Sequence, residues 1–290
     1  MDYKVSRTRD GIGYEYISLS APWTTTGTPV LFQHGIGDGR ATWSNWLADA
    51  LHSRPVIAVD LRGHGSSRDA SLANFTLEQG RRDLIGVLDE LGISKIHYIG
   101  SSFGGMLGYY LAATAAPRVA TLTTCSAPYR GDWVRGLDRW IDLLRTEGTE
   151  PWSDEVLDAF FTDPYREREP QFISWMRTAQ RSMRPEDVCS YFEATKRENL
   201  EGILPDIECP VLNITGGSPV VDRKNPRNLG SFVRQLENVT IPDSRHGIAM
   251  SHWEECSAAA YEFIARWERV GNAGNTHHER EPSDRTGGTR

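Results

Sequence analysis

The chain has 290 residues, of which 39% are hydrophobic, so it can bury one large core, alone or with a smaller appended unit. Its formal net charge of −7 argues against a nucleic-acid or anionic-membrane partner, since both need a basic surface. The sequence contains no apolar run of about 18 residues that could span a membrane, and its N-terminus lacks the apolar stretch of a secretory signal. The four cysteines are scattered without a C-x-x-C pair, which argues against a zinc ribbon or a disulfide framework. We therefore expect a cytoplasmic protein with reduced thiols.

Apolar runs alternate with amphipathic segments over the first part of the chain. Segments 3–8 and 13–19 predict two strands joined in a hairpin around Asp10-Gly11. Nearly continuous apolar runs predict further buried strands, and apolar residues at helical spacing predict helices between them. The strands are predicted at 29–33, 55–60, immediately before Ser102 and at 119–125, and the helices around 43–47, 76–91 and 106–116. This alternation implies a parallel sheet with helices on both faces, an α/β fold.

The pattern changes after residue 127, where charged and aromatic residues interleave and no buried strand is predicted up to about residue 205. This segment is expected to form several amphipathic helices inserted into the sheet topology, a candidate lid or cap. The later elements are predicted as a strand at 210–215, a helix at 228–236, a strand at 238–241 and a helix at 252–270. The predicted organisation is thus a core of residues 1–127 and 206–270, a helical lid of residues 128–205, and a disordered tail of residues 271–290.

The stretch His97–Met106 carries the clearest chemical signal. An apolar strand runs into the pattern Gly-x-Ser-x-Gly, formed by Gly100, Ser102 and Gly104, and a helical run follows. That order predicts a nucleophile elbow, a turn so tight that only small residues fit two positions either side of the nucleophile. The turn places the Ser102 hydroxyl at a helix N-terminus, where unpaired N–H groups can stabilise developing negative charge. The alternative is a Gly/Ser loop that matches the pattern by chance.

A serine nucleophile needs a base, and the base needs an orienting group. His246 is the predicted general base, because it stands in a short loop after the last predicted strand. In sheets of this type the acid and then the histidine follow the serine along the chain. We expect the acid to be Asp222, the carboxylate nearest the end of the strand at 210–215. Asp132, beyond the end of the preceding strand, is the alternative.

A glycine-rich loop at His34–Gly39 follows the first buried strand. Glycines there would let the backbone approach a substrate oxygen closely, so the predicted oxyanion hole consists of the backbone N–H groups of Ile36 and Phe103. A tight turn without a catalytic role is the alternative for this loop. The turn after the second buried strand is predicted to be structural, with Asp60 and Arg62 paired across it.

The predicted lid also contains candidate substrate-binding residues. Its aromatic side chains could line a pocket, and its arginines could hold a substrate carboxylate. The candidates are Trp133, Trp140 and Trp175, with Arg135, Arg139, Arg177 and Arg181. The alternative is that these aromatic residues only pack the lid onto the sheet.

Four motifs, H-G-I-G, D-L-R-G-H-G-S-S, G-S-S-F-G-G and S-R-H-G, resemble those of the α/β-hydrolase fold superfamily in order and spacing, over about residues 25–270. The segment Arg145–Gly148 and the size of the predicted lid resemble the 3-oxoadipate enol-lactonase-like branch, with esterases and cofactor-free haloperoxidases close by. The resemblance implies an α/β-hydrolase fold, a mostly parallel sheet flanked by helices with an inserted helical lid. Two positions depart from it. The family usually reads Gly-x-x-Asp after the seventh strand, whereas Pro219 stands third after Gly216, so Asp222 requires a short insertion. Enol-lactonases also often carry a different dipeptide in place of His34-Gly35.

The residues and the resemblance together predict a serine hydrolase that cleaves a small ester or lactone, a carboxylic ester hydrolase. The alternatives are a C–C bond hydrolase or a non-hydrolytic decarboxylase or cyclase on the same fold, and a receptor-like ligand-binding protein with weak catalysis. The sequence contains no metal, nucleotide or flavin motif, so we expect neither a cofactor nor a metal. The expected partner is a small-molecule substrate, without nucleic acid or membrane, and the sequence leaves the oligomeric state open.

Overall fold

The computed structural model describes residues 2–19, 27–73, 75–217 and 229–275. Within these ranges eight strands form one sheet. They are β1 (Asp2–Arg7), β2 (Gly13–Ser18), β3 (Val30–Gln33), β4 (Val56–Val59), β5 (Ile96–Ser101), β6 (Val119–Cys125), β7 (Val211–Gly216) and β8 (Leu236–Ile241). Their order across the sheet is β1-β2-β4-β3-β5-β6-β7-β8. The β1–β2 and β2–β4 pairs are antiparallel and all other pairs are parallel, which confirms the predicted α/β fold with a mostly parallel sheet.

Ten α-helices accompany these strands in the described ranges. They are α1 (Ser44–Leu51), α2 (Leu77–Glu90), α3 (Phe103–Thr114), α4 (Leu137–Thr146), α5 (Thr149–Phe160), α6 (Asp163–Arg168), α7 (Pro170–Arg181), α8 (Pro185–Arg197), α9 (Ile248–Ser251) and α10 (Trp253–Asn275).

The central strands are apolar throughout because both faces of the sheet are covered. Val30 and Phe32 of β3 pack with Trp46 of α1 and Phe263 of α10. Leu31, between them in sequence, faces the opposite way and belongs to the larger core shared with α2 and α3. Since successive side chains of a strand point to opposite faces, a strand with helices on both sides must be apolar at every position.

Helices α4 to α8 lie between β6 and β7, where the sequence predicts a helical segment. We call residues 128–205 the helical insertion. In it α4 packs against α8 and α5 against α7, and the rings of Trp140 and Phe192 lie 5.5 Å apart. Within the helical insertion one isolated antiparallel β-bridge joins Arg130 and Asn199.

The structure differs from the predicted elements near the end of the chain. Within the predicted helix at 228–236 it shows one 3-10 turn, Leu229–Ser231, and β8 already begins at Leu236. Pairing with Val211 of β7 accounts for this early start, because it extends the strand by two residues. The last helix continues to Asn275, beyond its predicted end at residue 270, and residues 276–290 of the predicted tail lie outside the described residues.

None of the helices in the described part of the chain is both long enough and apolar enough to cross a membrane.

Candidate active site

Ser102 lies in a strained turn between β5 and α3. Its backbone angles are φ 53° and ψ −119°, in a region that costs a residue with a side chain about 1–3 kcal/mol. The turn is fixed from both sides, because the Ser102 N–H donates to the carbonyl of Cys125 at 2.9 Å and its own carbonyl accepts from Met106 at 3.1 Å. The serine therefore stands at the N-terminus of α3, as a nucleophile elbow requires.

The two glycines of the motif are required by close contacts between backbones. A Cβ atom on Gly100 would stand 2.5 Å from the carbonyl oxygen of Gly104. A Cβ atom on Gly104 would stand 2.3 Å from the carbonyl oxygen of Gln33, on the neighbouring strand β3. Backbone atoms cannot move aside as a flexible side chain can, so only glycine fits at either position.

His246 meets Ser102 from the loop that follows β8. Its Nε2 atom lies 2.8 Å from the Oγ atom of Ser102, within hydrogen-bond distance. The imidazole is 3% exposed and packs against the ring of Phe160 at 4.7 Å. The Gly247 N–H donates to the Phe160 carbonyl at 3.0 Å, which ties the histidine loop to the end of α5. The structure thus brings together the predicted nucleophile and the predicted base.

Of the two candidate acids, Asp132 lies among the described residues. Asp222 lies outside the described residues. The carboxylate of Asp132 is more than half exposed, and the guanidinium of Arg130 binds its two oxygens at 2.8 and 2.6 Å. The pKa of Asp132 is lowered, chiefly by this hydrogen-bonded guanidinium.

The loop His34–Gly39 passes directly beside the serine. A Cβ atom on Gly35 would stand 3.0 Å from the Cβ atom of Ser102. Gly37 has a φ of +82°, and a Cβ atom there would stand 2.9 Å from the Trp152 ring. Ile36, between the two glycines, lines the cavity next to Ser102 together with Phe103, the first residue of α3.

Two buried histidines hold this loop in place. The Nε2 atom of His34 accepts from the Leu61 N–H at 2.9 Å, so its Nδ1–H donates to the Gly35 carbonyl at 2.7 Å. The Nε2 atom of His64 accepts from the Gly37 N–H at 3.1 Å. Burial lowers the pKa of His34, and burial together with the His34 charge lowers that of His64 to about 3. Both rings are therefore neutral at pH 7, as their acceptor role requires.

The predicted pairing of Asp60 with Arg62 is wrong. Asp60 binds the guanidinium of Arg40 and accepts from the hydroxyl of Ser66 at 2.7 Å. Arg62 instead donates to both carboxylate oxygens of Asp83 on α2, at 2.5 and 2.6 Å. The turn therefore directs Asp60 and Arg62 to different neighbours. The ion pair with Arg40 and the ion pair with Asp83 each join the turn to another part of the chain.

Asp38 is a buried acid beside the site that sequence reasoning missed. It is 7% exposed, and its Oδ1 atom has no hydrogen-bond partner among the described residues. Its Oδ2 atom lies 3.2 Å from the point where a Cβ atom on Gly35 would stand. Burial raises the pKa of Asp38 to about 7, against the weaker lowering effect of the Gly35 backbone. A lone Asp in a glycine-rich loop gives no sequence signal of burial.

A narrow, mainly apolar cavity opens next to Ser102, between the sheet and the helical insertion. Its volume is about 30 Å³, so the space beside the serine is small. Its walls are side chains of the elbow, the His34–Gly39 loop and helices α4, α5 and α8. The lining residues are Ile36, Ser102, Phe103, Pro128, Val134, Leu137, Trp140, Trp152, Val156, Phe160, Phe192, Thr195 and His246.

The predicted substrate-binding aromatic residues are divided by the structure. Trp140 lines this cavity. Trp133 packs against Tyr129 at 4.8 Å and lies under the guanidinium of Arg130. Trp175 is 42% exposed and lines a separate groove beside Asp38.

The predicted substrate-binding arginines lie on the outer surface of the helical insertion. Arg139 is paired with Glu155, and Arg177 and Arg181 are both paired with Asp154. Arg135 is exposed. None of these four belongs to the described lining of the cavity.

The part of the chain that the structure describes contains no group of three or more His, Cys, Asp or Glu side chains arranged to hold a metal ion.

A serine at a strand-to-helix elbow and a histidine after the last strand of a mostly parallel sheet define the class of proteins with the α/β-hydrolase arrangement. The model of the alpha/beta hydrolase fold family matches residues 28–252. The chain belongs to this family, which confirms the resemblance seen in the four motifs.

Solved structures of similar fold include enzymes of the expected branch. The enol-lactonase from Burkholderia xenovorans LB400 superposes with a TM-score of 0.80 at 25% identity, covering 90% of this chain and all of that one. A thermophilic esterase from Thermogutta terrifontis gives a TM-score of 0.75 at 24% identity, over 92% of this chain and 99% of that one.

Sequence relatives are distant. A 3-oxoadipate enol-lactonase 2 from Acinetobacter baylyi is 24% identical over 66% of this chain and 72% of its own length. A dihydrolipoyllysine-residue acetyltransferase component of an acetoin cleaving system from Pseudomonas putida is 26% identical, over 83% of this chain. The match spans 64% of that relative's length.

Proposed function

We propose that this protein is a serine hydrolase that cleaves a small ester or lactone. One observation carries the proposal: the Ser102 hydroxyl, held in a strained elbow, lies 2.8 Å from Nε2 of a buried histidine. A strained conformation is retained where the surrounding structure enforces it, and such sites are often functional. The enol-lactonase and esterase names among the relatives and structural neighbours support the same reaction class.

In the proposed mechanism the Ser102 hydroxyl attacks the substrate carbonyl while His246 takes its proton. The Ile36 and Phe103 backbone N–H groups donate to the resulting oxyanion. As the tetrahedral intermediate collapses, the C–O bond to the leaving alcohol breaks and His246 returns the proton to that oxygen. Water, deprotonated by His246, then attacks the acyl-enzyme. As the second tetrahedral intermediate collapses, the C–O bond to Ser102 breaks and His246 returns the proton to the Ser102 oxygen, which releases the carboxylic acid.

Asp222 is the proposed acid that orients His246. Its position after β7 agrees with the chain order of serine, acid and histidine. The surroundings of Asp132 support this choice, because both of its oxygens are engaged by Arg130 at an exposed site.

The division of the chain also belongs to the proposal. Residues 1–127 and 206–270 would form the catalytic core, with residues 128–205 as a lid that shapes the cavity, and residues 271–290 as a dispensable tail. We place the enzyme in the cytoplasm, supported by four buried cysteines that form no disulfide.

The first test is covalent labelling with a fluorophosphonate, combined with hydrolysis of a small chromogenic ester. Wild type should be labelled on Ser102, and Ser102→Ala should lose both labelling and turnover, with a rate loss on the order of 10⁴–10⁶. Labelling that persists in Ser102→Ala would place the nucleophile elsewhere. Binding of a ligand without labelling or turnover would support a receptor-like protein instead.

A second test separates the two candidate acids. Asp222→Asn should lower kcat by up to about 10⁴, because the amide would favour the wrong imidazole tautomer. Asp132→Asn is the matched control and should retain activity. The reverse pattern would assign the acid to Asp132, and full activity in both variants would indicate a Ser–His dyad.

A further inference from the structure

The side chains that line the cavity next to Ser102 indicate which esters or lactones the enzyme prefers. This inference rests on the proposed function. We propose that the part of the substrate enclosed beneath the helical insertion is uncharged and mainly apolar, so that the enzyme prefers neutral esters or lactones to those bearing a carboxylate.

The walls of the cavity support an apolar ligand. Val134, Leu137 and Trp140 contribute from α4 and the segment before it, and Val156 and Phe160 from α5. Val134 is half-buried, and the other four side chains are at most 7% exposed. An apolar group that displaces water from such walls binds through the hydrophobic effect, without a directional partner.

Apart from the indole N–H of Trp152, which is buried without a hydrogen-bond partner among the described residues, the polar groups at the cavity are engaged or assigned to the reaction. The Thr195 hydroxyl donates to the carbonyl of Tyr191 at 2.9 Å. Ser102 and His246 are bonded to each other, and the N–H groups of Ile36 and Phe103 are the proposed partners of the reacting carbonyl. Among the lining residues that the structure describes, His246 is the only one with a basic side chain.

The arginines of the helical insertion do not supply a charge partner inside the cavity. Arg139 is paired with Glu155, Arg145 with Glu193, and Arg177 with Asp154, all at the outer surface. A carboxylate carried into the cavity would lose its hydration without gaining a described cation, and burying an unpaired charge is strongly unfavourable.

Two pairs of esters of matched shape test the inference, because charge can be placed on either side of the scissile bond. The acyl pair is p-nitrophenyl 6-methylheptanoate and p-nitrophenyl hydrogen adipate, whose carboxylate is too distant for rapid attack on its own ester. The alcohol pair is 4-isopropylphenyl acetate and 4-acetoxybenzoate. For each ester kcat/KM is divided by the rate constant for hydroxide-catalysed hydrolysis, which removes the intrinsic difference in reactivity. At least one pair should favour the neutral ester by about 100-fold or more.

Variants of Val134 test whether the cavity itself makes this distinction. Val134→Lys places a cation in the wall and should reduce the preference about tenfold, whereas Val134→Met, of similar length and uncharged, should retain it. Arg139→Ala, at the outer surface, should leave the preference unchanged.

The inference would be overturned if neither pair favoured the neutral ester, whether the normalised rates were equal or favoured the charged ester. Absence of turnover for all four esters, together with absence of fluorophosphonate labelling at Ser102, would overturn the proposed function itself. The two failures are therefore distinguishable.

Discussion

The carboxyl group of Asp38, in the His34–Gly39 loop, makes the stability of the protein depend on pH. Burial raises its pKa to about 7 in the folded protein, whereas an aspartate in an unfolded chain releases its proton near pH 4. Between these two values the folded state binds more protons than the unfolded state. The contribution of Asp38 to the free energy of unfolding is therefore fully present at low pH and is lost as the pH rises towards 7.

Asp38→Asn should remove this loss, because the amide is neutral at every pH and has nearly the same shape. The stability of the variant relative to wild type should increase between pH 4 and pH 8, by on the order of a few kcal/mol. Urea unfolding of both proteins at several pH values measures this difference. The buried histidines are common to both proteins, so the effect of their titration cancels when the two free energies of unfolding are subtracted. Asp132→Asn is the control, because the pKa of Asp132 is lowered and its titration lies below this window. A constant difference between wild type and Asp38→Asn would show that Asp38 is ionised throughout.

Single residues also show which parts of the site the sequence could predict. The meeting of Ser102 with His246 was predictable because each position depends on local context, a strand-to-helix turn and a loop after the last described strand. Asp38 and His64 were not, because their roles depend on burial and on partners from other segments, such as the Gly37 N–H. The predicted pairing of Asp60 with Arg62 failed for the same reason, since the observed partner Arg40 lies in a different segment, the 3-10 turn Arg40–Trp43.

At the scale of elements, the strands were predicted better than the segments that connect them. Strand β6 has the predicted bounds, Val119–Cys125, because a strand covered on both faces carries its own apolar signal. The segment before β8 carries apolar residues at helical spacing, such as Leu229 and Val233, both buried. That spacing predicts a helix, but pairing with β7 determines the strand that begins at Leu236.

The contact between α5 and the histidine loop connects the helical insertion to the proposed base. The Arg245 guanidinium donates to the carbonyls of Asp158 and Phe161 at the end of α5. A Cβ atom on Gly247 would stand 2.5 Å from the Phe161 ring, so the two segments are in direct contact. Arg245 is therefore a proposed positioning residue for its neighbour His246.

Arg245→Ala should lower kcat about 10- to 100-fold with little change in KM, because small displacements of a catalytic group are costly. Steady-state kinetics over a range of pH would measure the effect, and Arg245→Lys should recover part of it through a single hydrogen bond. Arg139→Ala, which removes a surface ion pair of the same helical insertion, is the control and should leave kcat unchanged. A proportional rise in KM without loss of kcat would assign Arg245 to substrate binding instead.

At the scale of the whole molecule, Glu268 of α10 connects distant parts of the chain. Its carboxylate accepts from both terminal nitrogens of Arg54 at 2.8 and 2.9 Å and lies 3.2 Å from Nε2 of His97 on β5. Arg54 is more than nine-tenths buried, so it depends on this partner.

Glu268→Gln should lower the free energy of unfolding by about 2 kcal/mol, between the values typical of surface and buried ion pairs. Thermal or urea unfolding at neutral pH measures the loss. Glu237→Gln is the control. It removes the exposed partner of Arg266, which lies on α10 like Glu268, and should lower the free energy of unfolding by less than about 1 kcal/mol. Equal losses in the two variants would show that burial of Arg54 adds nothing to the pair.

The order of strands in the sheet has a consequence for synthesis of the protein on the ribosome. Strand β6 pairs with β7, but the helical insertion separates them in the sequence, and His246 follows Ser102 by 144 residues. At the usual translation rate of about 5–20 residues per second, synthesis of the segment between Cys125 and Val211 takes roughly 4–17 s. During that time β6 presents an open edge on which another nascent chain can pair. Molecular chaperones that shield strand edges should therefore increase the yield of folded protein.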